Sequence, residues 1–167
     1  MLNHPFYLFF KLSRPLFIGA GFFFYALGAG IARYLGYPLD SSVYWLGQLG
    51  VSALQLSTHY LNEFFDQHSD ANNPNRNPFS GGSGVLGEGE GKLPEQVALL
   101  AAASALTVFA LSLLGLWRAD VLYPLALLVA GLASFGAIFY SVPPLRLVSS
   151  GFGELVASVT LANLVPA

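Results

Sequence analysis

Two aspartates one helical turn apart, Asp66 and Asp70, with Asn62 one turn before them, are the residues of this chain best placed to do chemistry. At about 100° and about 1.5 Å per residue, positions 62, 66 and 70 drift by only about 80° and span about 12 Å, so three side chains face one space. They extend a polar series, Gln48, Ser52, Gln55 and His59, whose intervals of three and four draw one stripe along an otherwise apolar helix. With Glu63 beside them, the aspartates crowd like charges onto the C-terminal end of that helix, where the backbone dipole is already negative. A cation relieves that repulsion. Two carboxylates and an amide oxygen suit Mg²⁺, which takes carboxylates, retained waters and substrate phosphates rather than a closed protein cage. The pattern predicts a metal–diphosphate site; the competing reading is a helix-packing seam with a solvated end.

The setting of the stripe gives it weight. Of 167 residues, 54% are hydrophobic and 10% charged, with a mean hydropathy of +0.60, against roughly 25% charged in an ordinary soluble domain. Runs 15–35, 42–65, 95–117 and 121–141 are long enough for a hydrocarbon core of about 30 Å, and a fifth run occupies 151–167. None alternates with period two, so the expectation is an all-α membrane bundle of about five spans, one domain over 1–167, rather than a barrel. The first run exceeds a signal-peptide apolar region of about 7 to 15 residues and no small-residue cleavage site follows it. Lys11, Arg14, Arg76, Lys92 and Arg146 fall on one side of these spans and Arg33 and Arg118 on the other, which puts the N-terminus and the long link 66–94 in the cytoplasm, of the cytoplasmic membrane in a prokaryote. Polar groups within the bilayer are costly, so the stripe should face a cavity and mark a functional site.

Composition also excludes. A net charge of −2 without a basic tract sets nucleic acid aside. The absence of cysteine removes thiolate chemistry, Cys-ligated zinc and iron–sulfur clusters, and His4, His59 and His68 lack metal-ligand spacing. Link 66–94, with six glycines, three prolines and Arg76, is longer than the roughly 12 to 15 residues usual for an unstructured loop. Gly82-Ser83-Gly84-Val85-Leu86-Gly87 matches GxGxxG, but no strand precedes it, which argues against a dinucleotide fold. Glycines beside a diphosphate can instead donate backbone N–H groups or close as a lid.

The segment Asn62 to Asp70, NEFFDQHSD, reads as NxxxDxxxD and resembles the first aspartate-rich motif of the UbiA family of membrane prenyltransferases. The similarity extends to Arg14-Pro15, to NPNRNPFSGGSGVL from Asn73, and to YSVPPLRL and GFGEL within Tyr140 to Leu155. It implies the N-terminal half of a bundle of about nine helices around a cavity open to the bilayer. It further implies Mg²⁺-dependent transfer of a polyprenyl group from its diphosphate to an aromatic acceptor. Asn62, Asp66 and Asp70 would hold Mg²⁺ against the diphosphate, while Arg76, Arg146, Lys92 and Arg14 would neutralise phosphate oxygens. Asp66, Asp70 and Tyr140 would be the catalytic residues. The glycine-rich link and GFGEL point to the menaquinone-type branch, with a dihydroxynaphthoate acceptor.

The chain departs from the family pattern by ending at Ala167 without a second aspartate motif and by lacking a basic residue near Ser149 and Ser150. The expectation is a truncated chain, inactive alone. Two other readings stay open: a family member making haem A, chlorophyll or ether-lipid precursors, and a non-catalytic lipid-binding or cation-conducting membrane module.

Overall fold

The computed structural model describes residues 4–74 and 81–166, and among these it is all-helical. Six α-helices follow one another: α1 Pro5–Leu12, α2 Pro15–Tyr34, α3 Ser41–Ala71, α4 Gln96–Arg118, α5 Pro124–Phe139 and α6 Gly153–Val159, the last continued by a π-helical turn Thr160–Leu164. Proline begins α1, α2 and α5, where its missing N–H is not needed and its fixed φ already suits the helix. Asp40 caps α3 by accepting from the N–H groups of Ser42 at 2.8 Å and Val43 at 3.0 Å.

The helices differ from the apolar runs in three places. Residues 5–12 form a separate helix, whose Leu8 and Leu12 are buried, before the first long run. Helix α3 continues past residue 65 to Ala71, so Asp66 and Asp70 stand on regular helix rather than in the link. By length and composition two helices can cross a membrane, Pro15–Tyr34 and Glu95–Arg118. The other apolar segments are shorter, α5 with 16 residues and α6 with 7, and the 31-residue α3 carries the polar stripe.

Helix α3 is the hub: α1, α2, α4 and α5 all pack on it, α4 most extensively. The contacting faces are built from small residues. Gly47, Gly50, Ala53 and Ser57 of α3 and Ala98, Ala102, Ala105 and Ser112 of α4 are buried, and a Cβ on Gly50 would stand 3.2 Å from that of Ser112. Small side chains let helix backbones approach closely enough for dispersion to hold them. The large apolar side chains point outward: Phe23 is 74% exposed, Leu100 68% and Leu125 71%. The helices are therefore apolar outside and joined by small or polar side chains in the α3–α4 seam, and Leu12, Ser57, Ser112 and Ser141 are among the most completely buried side chains.

The link between α3 and α4 is folded where it is described. Val85, Leu86 and Leu93 are buried against Leu8, Leu12, Tyr60 and Ala98, and backbone bonds from Leu93 N–H to Val85 C=O (2.7 Å) and Gly87 N–H to Leu93 C=O (3.1 Å) close it into a loop through an isolated parallel bridge between Leu86 and Leu93. That loop roofs the C-terminal end of α3.

Candidate functional site

Asp66 is the centre of the polar end. It is 6% exposed. Its Oδ1 accepts from Arg146 Nη2 at 2.7 Å, and its Oδ2 accepts from Asn62 Nδ2 at 2.6 Å and from Ser141 Oγ at 2.8 Å. Asn62 Nδ2 also donates to Ser141 Oγ at 2.9 Å, closing a triangle, while Asn62 Oδ1 accepts from Arg14 Nη1 at 3.4 Å. A carboxylate held from several sides in a low-dielectric interior keeps one orientation.

Two arginines reach this network from opposite ends of the chain, and both occupy the left-handed region, Arg14 with φ 50° and Arg146 with φ 42°. That region costs a residue bearing a Cβ roughly 1–2 kcal/mol, and it persists where surrounding contacts determine it. For Arg14 those contacts include the Phe17 ring, 4.6 Å from the guanidinium carbon, and Glu63, 3.8 Å away. Arg146 also donates to the Phe65 carbonyl at 3.3 Å.

Glu63 plays a different part from the one its sequence position implies. It faces the roof rather than the aspartates: Oε1 accepts from Ser83 N–H and Oε2 from Ser83 Oγ, both at 2.6 Å. Glu63 as a residue is 3% exposed, so this buried carboxylate anchors the glycine-rich loop to α3. The anchored loop brings Gly82, at φ 66°, so close to Asp70 that a Cβ there would stand 2.6 Å from Asp70 Oδ2. Only glycine satisfies both that backbone and that approach.

A cavity of about 960 Å³ opens from this end into the bundle. Arg14, Asn62, Asp66, Ser69, Asp70, Gly81 and Gly82 line its polar end, and Phe109, Leu113, Leu116, Leu122, Ala126 and Val129 its apolar reach. Tyr140 lines it too, at the end of α5. Of the polar series on α3, Gln55, His59, Asn62, Asp66 and Asp70 face the cavity; Gln48 and Ser52 are hydrogen-bonded to each other at 3.1 Å off its wall.

The sequence-predicted site residues thus separate into groups. Asn62, Asp66, Asp70, Tyr140 and Arg14 share the cavity. Arg146 donates to Asp66 at 2.7 Å and is not among the residues lining the cavity. Lys92 is turned to the Gly84 carbonyl at 2.5 Å, bracing the loop. Arg76 lies outside the described residues. Sequence reasoning missed Ser141 as a partner of Asp66; its only signal is a hydroxyl in the quoted segment YSVPPLRL.

The donor set fits a Mg²⁺ that arrives with a diphosphate. No group of three or more His, Cys, Asp or Glu side chains that could hold a metal ion by themselves lies among the described residues. Asp66 and Asp70 instead offer two carboxylates on one cavity wall, the number Mg²⁺ commonly takes when phosphates and waters fill its other positions. Asp66 accepts three hydrogen bonds, which leaves room on a carboxylate with about four acceptor sites. Comparison with known proteins gives no match, whether against family models, curated proteins or solved structures.

Proposed function

We propose that this chain forms the diphosphate-binding side of a membrane prenyltransferase of the UbiA type, which moves a polyprenyl group from its diphosphate to an aromatic acceptor in menaquinone-type quinone synthesis. The observation that carries this reading is a cavity with an acidic, arginine-flanked end and a long apolar reach. A prenyl diphosphate has the same two halves. On this reading the helices belong to the larger bundle that the motif resemblance implies, and the outward Phe and Leu side chains face lipid. The excess of Lys and Arg on one side of the spans orients the N-terminus and the acidic end towards the cytoplasm.

Asp66 and Asp70, with Asn62 beside them, would hold Mg²⁺ together with the diphosphate; the metal supplies Lewis-acid neutralisation of the leaving group. Arg146, Ser141 and Asn62 fix the Asp66 carboxylate, so the site is oriented before substrate arrives. Arg14, stacked on Phe17 and 13% exposed at its side chain, supplies positive charge to phosphate oxygens. The loop held by Glu63 covers this end and limits water. As the allylic C–O bond breaks, its electron pair leaves with the diphosphate, the Tyr140 ring at the cavity meets the positive charge on the prenyl carbon, and a ring carbon of the acceptor forms the new bond while its proton passes to the released diphosphate.

The test is incubation of the full-length protein in detergent with Mg²⁺, farnesyl diphosphate and 1,4-dihydroxy-2-naphthoate. The expected result is release of diphosphate together with a prenylated naphthoate, both lost on chelation of Mg²⁺. Release of neither, from protein that retains its fold, would refute the reading in favour of a lipid-binding module.

A further inference from the structure

Helix α1 lies outside the cavity, and the flanks of its two turns differ in chemistry. At about 100° per residue, Leu8 and Leu12 share one flank, Phe6 and Phe10 the flank opposite, Tyr7 and Lys11 a third, and Phe9 a fourth, about 160° round from Lys11. The protein uses the first and the fourth. Leu8 and Leu12 are buried in one cluster with Val85, Leu86 and Leu93 of the roof loop and with Tyr60. Phe9 stands 5.9 Å from the Tyr60 ring between centroids and lines a shallow apolar groove shared with Leu56, Leu100 and Val108 of α3 and α4. The other two flanks are open: Phe6 is 76% and Phe10 53% exposed, and Tyr7 and Lys11 are exposed beside them.

The position of α1 says what covers those flanks. After Ser13 and Arg14, Pro15 opens a helix long and apolar enough to cross a membrane. Arg14, at φ 50°, breaks the helical run between α1 and α2. Ser13 Oγ is hydrogen-bonded to the Tyr60 hydroxyl at 2.8 Å, which pins the break near the acidic end of α3. Helix α1 therefore sits where the chain enters the bilayer, the depth at which aromatic side chains concentrate. Its flanks follow the same order: Phe9 lies over the apolar length of α4, and Tyr7 and Lys11 lie on the side turned away from it. An interfacial helix has this arrangement, with its apolar side in the acyl boundary and its cation at the headgroups.

We propose that α1 lies in the plane of the membrane at the face that holds the acidic end, with Phe6 and Phe10 among phospholipid acyl chains and Lys11 at the headgroups, and that Leu8 and Leu12 tie the roof loop to that surface. The partner is the phospholipid surface itself. The anchor requires the membrane setting alone and stands apart from the prenyltransferase reading.

Because the chain has no cysteine, single spin labels can be attached at Phe6→Cys, Phe10→Cys and Lys11→Cys, with Glu88→Cys on the exposed part of the roof loop as the aqueous reference. In phosphatidylcholine nanodiscs, collision with oxygen reports lipid and collision with a nickel chelate reports water. The expected oxygen-to-nickel ratio at positions 6 and 10 is at least about five-fold above that at position 88, for side chains about 5–10 Å into the headgroup boundary, with position 11 in between. Ratios at 6 and 10 equal to that at 88 put this face in water and overturn the proposal. Labels shielded from both reagents put it against protein, a further helix or a second copy, and overturn it equally. The tie to the roof has its own readout: Phe6→Asp combined with Phe10→Asp should speed amide hydrogen exchange over residues 83–93 at least about five-fold, and unchanged exchange overturns that part.

Discussion

At the scale of single residues, the polar end depends on a carboxylate with three neighbours. Ser141 contributes one of them, at 2.8 Å and fully buried. Ser141→Ala leaves Asp66 two of its three bonds and should lower stability by about 1 kcal/mol, read as a fall in the midpoint of thermal unfolding in detergent. Glu63 is the more sensitive position. It accepts from two donors of Ser83, and Glu63→Leu leaves both without that acceptor. We expect a cost of about 1–3 kcal/mol and faster amide hydrogen exchange over residues 83–93; unchanged exchange there would show that the carboxylate does not hold the loop. How these residues are used was only partly legible in the sequence. The spacing of Asn62, Asp66 and Asp70 is local, so helical periodicity alone placed them on one face. Ser141 and Arg146, which donate to Asp66, and Ser83, which donates to Glu63, are 75, 80 and 20 residues away in the chain, and such pairings leave no local pattern. Glu63 is adjacent to Asn62 yet turned by about 100°, which sends it to the roof rather than to the metal side.

At the scale of elements, α3 positions everything the site uses, and both its start and its packing are open to test. Asp40 satisfies two N–H groups at its N-terminus, so Asp40→Ala should cost about 1 kcal/mol. Ala102 of α4 is 2% exposed within the small-residue seam. Ala102→Leu should cost about 1–3 kcal/mol by pushing α4 away from α3, again read as a lower unfolding midpoint. Four of the long apolar runs were legible as helices because length and hydropathy suffice for that. Helix α1 was not, because an eight-residue stretch that includes Lys11 is too short to read as an apolar run, and only the Ser13–Arg14 turn separates it from the longer run that follows. The folding of the link was also hidden. Its glycines imply freedom, whereas its order comes from burying Val85, Leu86 and Leu93 on α1, α3 and α4.

At the scale of the whole molecule, large apolar side chains outside and small or polar ones in the α3–α4 seam give a bundle suited to lipid, with a cavity whose two ends differ in chemistry. The proposed orientation can be checked directly, because the chain has no native cysteine to interfere. Ser150→Cys and Ala119→Cys should label from opposite faces of sealed vesicles with a membrane-impermeant maleimide, Ser150→Cys from the cytoplasmic face; labelling of both from one face would contradict the topology. The central claim, that the C-terminal end of α3 is one side of a Mg²⁺–diphosphate site, is tested most directly by titrating farnesyl diphosphate into the protein in nanodiscs with and without Mg²⁺, for the unsubstituted chain and for Asp70→Asn. The account predicts Mg²⁺-dependent binding that Asp70→Asn weakens at least ten-fold, a loss of about 1.4 kcal/mol or more. Binding indifferent to Mg²⁺ and to the substitution would contradict it.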